Sequence, residues 1–410
     1  MQESNHSRGV ITPFKKCEST QHPLMGNKII RKPNGDTEVD PHGLVGRIDR
    51  WKQRIKLSDG SINYAFYEGQ ISQEASPLVV TFILDLMSGK NMAKGTKRGA
   101  RSSACLFNYI YRLANVIKLM EELNKKKLLQ FTEDDTLKFF NGLRNGTVLS
   151  PSGKVITDVK SYAKIFCAFW RWYMRTHRDK NVPDIVSSVD TSNHNKPPWI
   201  YFTLQDAIKM ADESPSLYYR ALILFLFDSG MRAPKELMNV RVKDISPVPD
   251  TNYLNVQIRD ETSKTFGRKI KLMICSDMLK KYIQTSGKQS HDFLFDKSYN
   301  GMTSQIKKLG YKVLGVGKAK YLNNNRLLVT GGITMYDFRH SSVCHYLPIY
   351  KSENQMKYRY GWKKADMIHY YSEFMGMRDT ITDEDIITGA SKTQLEMDLE
   401  REKQKVALLQ

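Results

Sequence analysis

Arginine, lysine and tyrosine side chains occur in short polar strings in the second half of this 410-residue sequence. The strings are DSGMR at 228–232, ETSKTFGRKI at 261–270, MYDFRH at 335–340, YGW at 360–362 and YY at 370–371. Arginine stays charged and donates forked hydrogen bonds to phosphate oxygens. A tyrosine phenol has a reference pKa of about 10, and nearby cations favour its phenolate, the better nucleophile. These residue types suit cleavage of a phosphodiester by fixed cations, without a metal ion.

In their order and spacing, the strings resemble the motifs of the tyrosine site-specific recombinases of the phage-integrase type, including the archaeal-like and Xer-like integrases. The first string resembles the family's first-arginine box, with Arg232 as the arginine. The second resembles the hairpin turn that supplies a catalytic lysine, here Lys264, and the third resembles the second-arginine box, with Arg339. The family's nucleophile lies nine residues beyond a His or Trp, and counting nine from Trp362 gives Tyr371. The resemblance covers residues from about 200 to 375, and a weaker one to the core-binding domain covers about 75 to 180.

The resemblance implies a role for each of these residues. Tyr371 would attack a DNA phosphate and leave a 3′-phosphotyrosine bond and a free 5′-hydroxyl. Lys264 would protonate the departing 5′ oxygen, and Trp362 would add one indole N–H donor. The covalent bond conserves the phosphodiester energy, so neither ATP, a metal ion nor another cofactor is expected. Adjacent helical residues point about 100° apart, so only one tyrosine can face the phosphate, and the register favours Tyr371 over Tyr370.

Two positions depart from the family pattern. Residues 233–235 separate Arg232 from Glu236, where the family usually has two intervening residues. Tyr336 stands where the family commonly places a histidine, three residues before the second arginine. A phenol can donate a hydrogen bond to phosphate but cannot become a cation, so we assign Tyr336 as a lesser phosphate donor. The alternative is that His340 substitutes for the missing histidine, although His340 and His345 are assigned chiefly to supporting their helix.

The elements that must position these residues are predicted to be mainly α-helical, with a small antiparallel β-sheet. Apolar residues at three- and four-residue steps, with aromatic seams, predict a bundle of helices in the first half. Alternation at 253–259 and 269–274 predicts a β-hairpin in the second half, around the string that contains Lys264. The resemblance makes the first half a SAM-like core-binding domain and the second an α+β catalytic domain. The predicted parts are a mobile N-terminal segment, the helical DNA-binding domain, a linker, the catalytic domain and a C-terminal helical tail, over 1–42, 43–180, 181–198, 199–386 and 387–410.

The formal net charge of +20 indicates a polyanionic partner, and nucleic acid is the usual one. Within the basic loop at 89–101, Lys94, Lys97, Arg98 and Arg101 are predicted to contact the DNA backbone. Five scattered cysteines without a CxxC pair indicate free thiols and no metal site.

No apolar run reaches the roughly 18 to 20 residues that span a bilayer, so no membrane association is expected. The polar N-terminus lacks the apolar core of a signal peptide, and the protein is expected to stay where it is made. The expected location is the cytoplasm of a prokaryote, in association with the nucleoid.

The function predicted from the resemblance is site-specific recombination of double-stranded DNA, by a homotetramer on paired target sites. Integration of a mobile element and resolution of chromosome dimers are not separable from these residues. A type IB topoisomerase, which shares this chemistry, is a second hypothesis. A DNA-binding module with a decayed active site is a third, supported only by Tyr336.

Overall fold

The computed structural model describes residues 19–21, 28–31, 36–92, 101–150, 152–192, 199–321, 327–350 and 352–376. The chain divides into two units: Met1–His22 with Asn27–Pro198, and Pro23–Gly26 with Trp199–Gln410. Within the described ranges, no helix is both long and apolar enough to cross a membrane. The basic residues Lys94, Lys97 and Arg98 and the predicted tail at 387–410 lie outside the described residues.

The first unit contains a bundle of helices, as the periodicity predicts. Its large aromatic side chains, such as Phe82, Phe166 and Trp172, are buried in one apolar core, so these aromatics pack the bundle. Thr132 caps a helix through a capping box with Asp135, as its position predicts. The helices are α1 (Leu44–Arg54), α2 (Ala75–Ser88), α3 (Ser103–Asn124), α4 (Glu133–Asn145) and α5 (Val159–Thr176).

Two segments of the first unit contain structure that the sequence did not indicate. The segment predicted to be mobile contains an antiparallel sheet of three short strands, β1 (Ser19–Gln21), β2 (Lys28–Arg31) and β3 (Thr37–Asp40). Mutual pairing satisfies the backbone of these polar strands, and Ile29 and Val39 are buried. The described part of the predicted linker also packs, because Ile185, Val186 and Val189 join the core of the bundle.

The second unit is mainly helical with two small antiparallel sheets, so the predicted fold class is confirmed. Its helices are α6 (Leu204–Asp212), α7 (Leu217–Ser229), α8 (Lys235–Met238), α9 (Ser276–Ser286), α10 (Tyr299–Leu314), α11 (Met335–Tyr346), α12 (Glu353–Tyr360) and α13 (Asp366–Phe374). Its strands are β4 (Ile245–Pro247), β5 (Leu254–Ile258), β6 (Arg268–Leu272), β7 (Lys318–Tyr321) and β8 (Leu327–Thr330).

The predicted hairpin is present as β5 and β6, with Leu254 opposite Leu272 and Ile258 opposite Arg268. Strand β4 pairs with β5 and completes a three-stranded sheet. The hairpin of β7 and β8 was not predicted. Every residue of β7 is exposed. The strand therefore lacks the alternation of apolar and polar residues by which a half-buried strand is predicted from sequence.

Candidate active site

Helix α7 ends at the first polar string and delivers Arg232 to the site. The helix is apolar around most of its circumference and is buried in the unit. Gly230 terminates it with a φ of 55°, a left-handed conformation that glycine adopts at little cost. The tight turn leaves the Arg232 side chain 17% exposed, while the neighbouring Met231 is buried.

The two arginines of the site are held by consecutive carbonyl groups of one turn. Arg232 Nη2 donates to the carbonyl of Gly361 at 3.0 Å, and Arg339 Nη2 donates to the carbonyl of Tyr360 at 2.6 Å. Arg339 Nη1 also donates to the carbonyl of Gly230 at 2.7 Å. The turn at the end of α12 therefore brings together two guanidinium groups that are more than a hundred residues apart in sequence.

Glu236 fixes the orientation of Arg232 despite the additional residue between them. Its carboxylate accepts from Arg232 Nη1 at 3.0 Å and from the Arg232 backbone N–H at 2.9 Å. A second partner is Arg268, whose Nη2 donates to Glu236 Oε2 at 2.9 Å. Burial alone would raise the pKa of Glu236, but the hydrogen bonds and charges of Arg268 and Arg232 outweigh it and hold the pKa at about 2.

The turn that contains Lys264 is attached to the same carbonyl as Arg232. Thr265 Oγ1 donates to the carbonyl of Gly361 at 2.9 Å, and Ser263 Oγ donates to Glu236 at 3.1 Å. Lys264 lies between these two anchors and is exposed. An anchored turn with an exposed lysine can present an ammonium group to a bound phosphate without burying the charge.

Tyr371 lies on α13, the helix that follows the Gly361 turn. Its side chain is 1% exposed, and its ring stacks on Trp362 with centroids 5.8 Å apart and planes 17° apart. The Tyr371 hydroxyl lies 2.6 Å from His340 Nδ1. The hydroxyl of Tyr370 instead accepts a hydrogen bond from the indole N–H of Trp199 at 2.8 Å. The two tyrosines thus have different surroundings, as the 100° step between helical neighbours requires.

Neighbouring cations favour the phenolate of Tyr371, as expected, but burial acts in the opposite direction. Burial raises the pKa of Tyr371 above its ordinary value, and the charge of Arg339 opposes this only in part. Burial also lowers the pKa of Arg339 to about 10, with a further contribution from the Arg232 charge, so Arg339 stays cationic at neutral pH. Burial thus favours the protonated phenol in the resting site.

Tyr336 and His340 lie one turn apart on α11, on the side of the helix that faces Tyr371. Tyr336 is 46% exposed, and its ring meets His340 edge to face at 5.0 Å. His340 stacks on Trp199 with centroids 4.5 Å apart. His345 lies elsewhere, against Phe227 and Tyr346.

Two buried ion pairs support the site. Their arginines, Arg268 and Arg359, had no role in the sequence-based prediction of the site. Arg268 pairs with Glu236, while Arg359 Nη2 donates to Asp228 Oδ1 at 3.1 Å. Asp228 also accepts from the hydroxyl of Tyr346 at 2.7 Å. The sequence did indicate that Arg268 is buried. Alternate residues of β6 point inward, and Arg268 lies on the same face of the strand as Ile270 and Leu272. Arg101, the one described residue of the predicted DNA-binding set, is half-buried near Cys105 in the first unit.

Replacing Gly230 by alanine is expected to destabilise the protein by about 2–4 kcal/mol, from left-handed strain together with overpacking. A Cβ atom there would clash with Tyr360 Cε1 and lie 2.8 Å from Ser342 Oγ. The matched control is Gly287→Ala, which also ends a helix, with a φ of 63°, but has nothing within 4 Å. Urea unfolding of both variants measures the difference, and equal losses would show that the close approach of Tyr360 is unimportant.

No group of three or more His, Cys, Asp or Glu side chains in the described part of the chain could hold a metal ion. The arrangement that does exist is a set of fixed cations beside a buried tyrosine. Such a set can stabilise negative charge on the oxygens of a phosphate while the tyrosine attacks.

No protein-family model matches the chain, and no curated protein matches it in sequence. Among solved structures, the chain is similar to the crystal structure of a lambda integrase dimer bound to a COC′ core site. The TM-score is 0.52 at 15% identity, and the match covers 90% of this chain and 100% of that chain. It is also similar to XerH site-specific recombinase bound to palindromic difH substrate in a post-cleavage complex. That match has a TM-score of 0.50 at 15% identity and covers 82% of this chain and 92% of the XerH chain. The chain therefore has the fold of the tyrosine recombinases.

Proposed function

We propose that the protein is a metal-independent tyrosine site-specific recombinase that cleaves and rejoins double-stranded DNA through a 3′-phosphotyrosine intermediate. The observation that carries this proposal is the turn at Tyr360–Gly361. Its carbonyls hold Arg232 and Arg339 together, and the next residue, Trp362, stacks on Tyr371. The lambda integrase and XerH structures, which share the fold, were solved on DNA sites.

In the proposed reaction, Arg232 and Arg339 bind the non-bridging oxygens of the scissile phosphate. Each guanidinium has five N–H donors and uses one from each terminal nitrogen to hold its position, through the contacts to Glu236 and Gly361 or to Gly230 and Tyr360. Trp362 and Tyr336 supply further hydrogen-bond donors. Tyr371 attacks phosphorus, and the ammonium of Lys264 protonates the departing 5′ oxygen.

The proposed assembly is a homotetramer on two paired target sites. Each Tyr371 can hold one DNA strand covalently at a time, and a complete exchange between two duplexes cuts four strands. Four copies of the chain therefore provide one nucleophile for each cut. A DNA-associated location follows from this function, and the net charge of +20 suits it.

Covalent capture tests the proposed function. The protein is incubated with duplexes of random sequence that carry occasional nicks, in the presence of a chelator. A nick just downstream of the cut lets the short 5′-hydroxyl strand diffuse away, so the adduct accumulates. We expect a denaturation-resistant adduct whose sequenced DNA defines one site, with the phosphate on Tyr371. Failure to form an adduct would contradict the proposal, and efficient relaxation of supercoiled DNA without that site would indicate a topoisomerase.

Lys264→Ala is expected to slow cleavage of ordinary DNA by about 10²–10⁴-fold, the usual contribution of general acid catalysis. The reason is that the 5′ alkoxide leaves poorly without a proton. A substrate with sulfur in place of the bridging 5′ oxygen should restore the rate, because a thiolate leaves without protonation. Lys269→Ala, an exposed lysine of the same hairpin, is the control. Equal losses on both substrates would exclude Lys264 as the acid.

A further inference from the structure

The contact between His340 and Tyr371 has a geometry that the proposed roles of the two arginines and Lys264 leave unexplained. The Tyr371 hydroxyl and His340 Nδ1 are 2.6 Å apart, within the range of a short hydrogen bond. Tyr371 is 1% exposed, so bulk water has little access to its proton. A base that already contacts the hydroxyl can therefore take this proton without water as a carrier.

We propose that His340 is the catalytic base of the strand-cleavage step and accepts the phenolic proton of Tyr371 on Nδ1. This inference rests on the proposed function, because it concerns the attack of Tyr371 on a DNA phosphate. It also assigns the proton acceptor to the residue after the second arginine. Tyr336, which occupies the usual histidine position, then acts only as a hydrogen-bond donor.

The surroundings of His340 hold its ring beside the Tyr371 hydroxyl. Trp199 stacks on one face of the imidazole, with planes 15° apart, and the edge of Tyr336 contacts it from the preceding turn. The titratable or charged groups around it are Tyr336, Asp337 and Arg339 on its own helix and Tyr371 on α13. For Nδ1 to accept, the ring must carry its proton on Nε2.

Burial keeps His340 in the unprotonated form that a base requires. It lowers the pKa of His340 to about 4, and Arg339 contributes in the same direction while Asp337 opposes it. Burial also raises the pKa of Tyr371, so the proton stays on the phenol in the resting protein. Transfer becomes favourable only as the oxygen bonds to phosphorus, because that oxygen loses its basicity, while the phosphate charge stabilises the imidazolium.

The proposed step balances in atoms and electrons. The Oη–H bond of Tyr371 breaks, its proton bonds to His340 Nδ1, and the freed electron pair forms the Oη–P bond. The P–O5′ bond breaks, and the departing oxygen takes a proton from Lys264. In religation the DNA 5′-hydroxyl attacks phosphorus, Lys264 recovers its proton, and the imidazolium returns the other proton to Tyr371.

The test compares variants that separate proton transfer from positioning. In His340→Asn, the amide oxygen can take the place of Nδ1 as a hydrogen-bond acceptor but cannot accept a proton. His340→Ala leaves space that free imidazole can fill. His345→Asn is the matched control, because His345 lies on the same helix and contacts Phe227 and Tyr346 instead of Tyr371. Single-turnover adduct formation on the nicked target duplex is measured for each full-length variant.

We expect His340→Asn to slow adduct formation by about 10²–10⁴-fold and His345→Asn to leave it nearly unchanged. Added imidazole should restore part of the rate of His340→Ala. The rate of the wild type should be independent of pH near neutrality, since His340 is already unprotonated there. The rate of His340→Ala without imidazole should instead rise in proportion to hydroxide concentration.

Three outcomes would overturn the assignment of His340. The first is adduct formation by His340→Asn at the rate of the wild type, and the second is faster adduct formation by His340→Ala. The third is slow adduct formation by His340→Ala that imidazole does not rescue and that has the same pH profile as the wild type. The proposed function fails in a different way, when the wild type forms no adduct or Tyr371→Phe still forms one. If the wild type forms the adduct, Tyr371→Phe does not and His340→Asn is normal, only the role of His340 is excluded.

Discussion

Tyr371→Phe is expected to abolish the covalent adduct with DNA while the protein remains folded and able to bind DNA. The substitution removes the attacking oxygen and one hydrogen bond to His340. It keeps the ring that stacks on Trp362. The lost hydrogen bond should cost only about 0.5–1.5 kcal/mol of stability. Adduct formation, binding to the target duplex and thermal unfolding are measured on the same preparation.

Tyr370→Phe is the matched control, since it removes a hydroxyl from the adjacent residue. That hydroxyl accepts a hydrogen bond from Trp199, whereas the hydroxyl beside His340 Nδ1 is that of Tyr371. The variant should keep forming the adduct at a rate close to that of the wild type. If Tyr370→Phe loses the adduct and Tyr371→Phe keeps it, the nucleophile is Tyr370 and the register from Trp362 is misleading.

Glu236→Ala is expected to destabilise the protein by about 3–5 kcal/mol, the usual loss when one partner of a buried ion pair is removed. Arg268, whose side chain is 0% exposed, would be left without its carboxylate. Arg232 would lose both its side-chain and its backbone contact to Glu236. The variant should therefore also cleave DNA more slowly at temperatures where it is still folded. Urea unfolding and single-turnover cleavage measure the two effects separately.

The control for this prediction is Glu213→Ala, which breaks an exposed pair with Lys312. Exposed pairs contribute little, so the change in stability should stay within about 0.5 kcal/mol. A loss in Glu236→Ala as small as that in Glu213→Ala would mean that Arg268 finds another partner. In that case the ion pair would not be what maintains the site.

The pH dependence of stability should carry the signature of Glu236. Its pKa is about 2 in the folded protein, below the ordinary value of 4.5, because of Arg268 and Arg232. The folded state therefore binds this proton less readily than the unfolded state. The contribution is fully present above the ordinary value and is lost as pH falls through about 2. Glu236→Gln should lack this part of the acid-induced loss, which thermal unfolding at a series of pH values detects.

The sequence predicted the local structure of the site well, because local rules determine it. Thr203 and Asp206 form the capping box that their spacing indicates. The alternation over 253–259 predicted a strand of the β5–β6 hairpin, and with it the position of the turn that carries Lys264. The arginines and Tyr371 were found by the order of their strings. The fold of the second unit then brings these residues together around the turn at Tyr360–Gly361.

Long-range contacts of the site could not be predicted in the same way. One partner of Glu236 is Arg268, on a different element, and no local rule relates these two residues. The contact between His340 and Tyr371 depends on how α11 and α13 pack, which neither helix encodes alone. For the same reason the sequence shows the cations that favour the phenolate of Tyr371 but not the burial that opposes them.

The carbonyl of Gly361 accepts hydrogen bonds from two segments of the site, the turn after α7 and the turn of the β5–β6 hairpin. It accepts from Arg232 and from Thr265, which adjoins Lys264 in the hairpin turn. A shift of this single peptide group would displace the arginine and the lysine turn at once. The effects of substitutions at Arg232 and Thr265 should therefore be non-additive in a double-mutant cycle. Either substitution alone already disturbs the Gly361 peptide group to which the other side chain is bonded. Natural changes at either position would be expected to occur together with changes at the other.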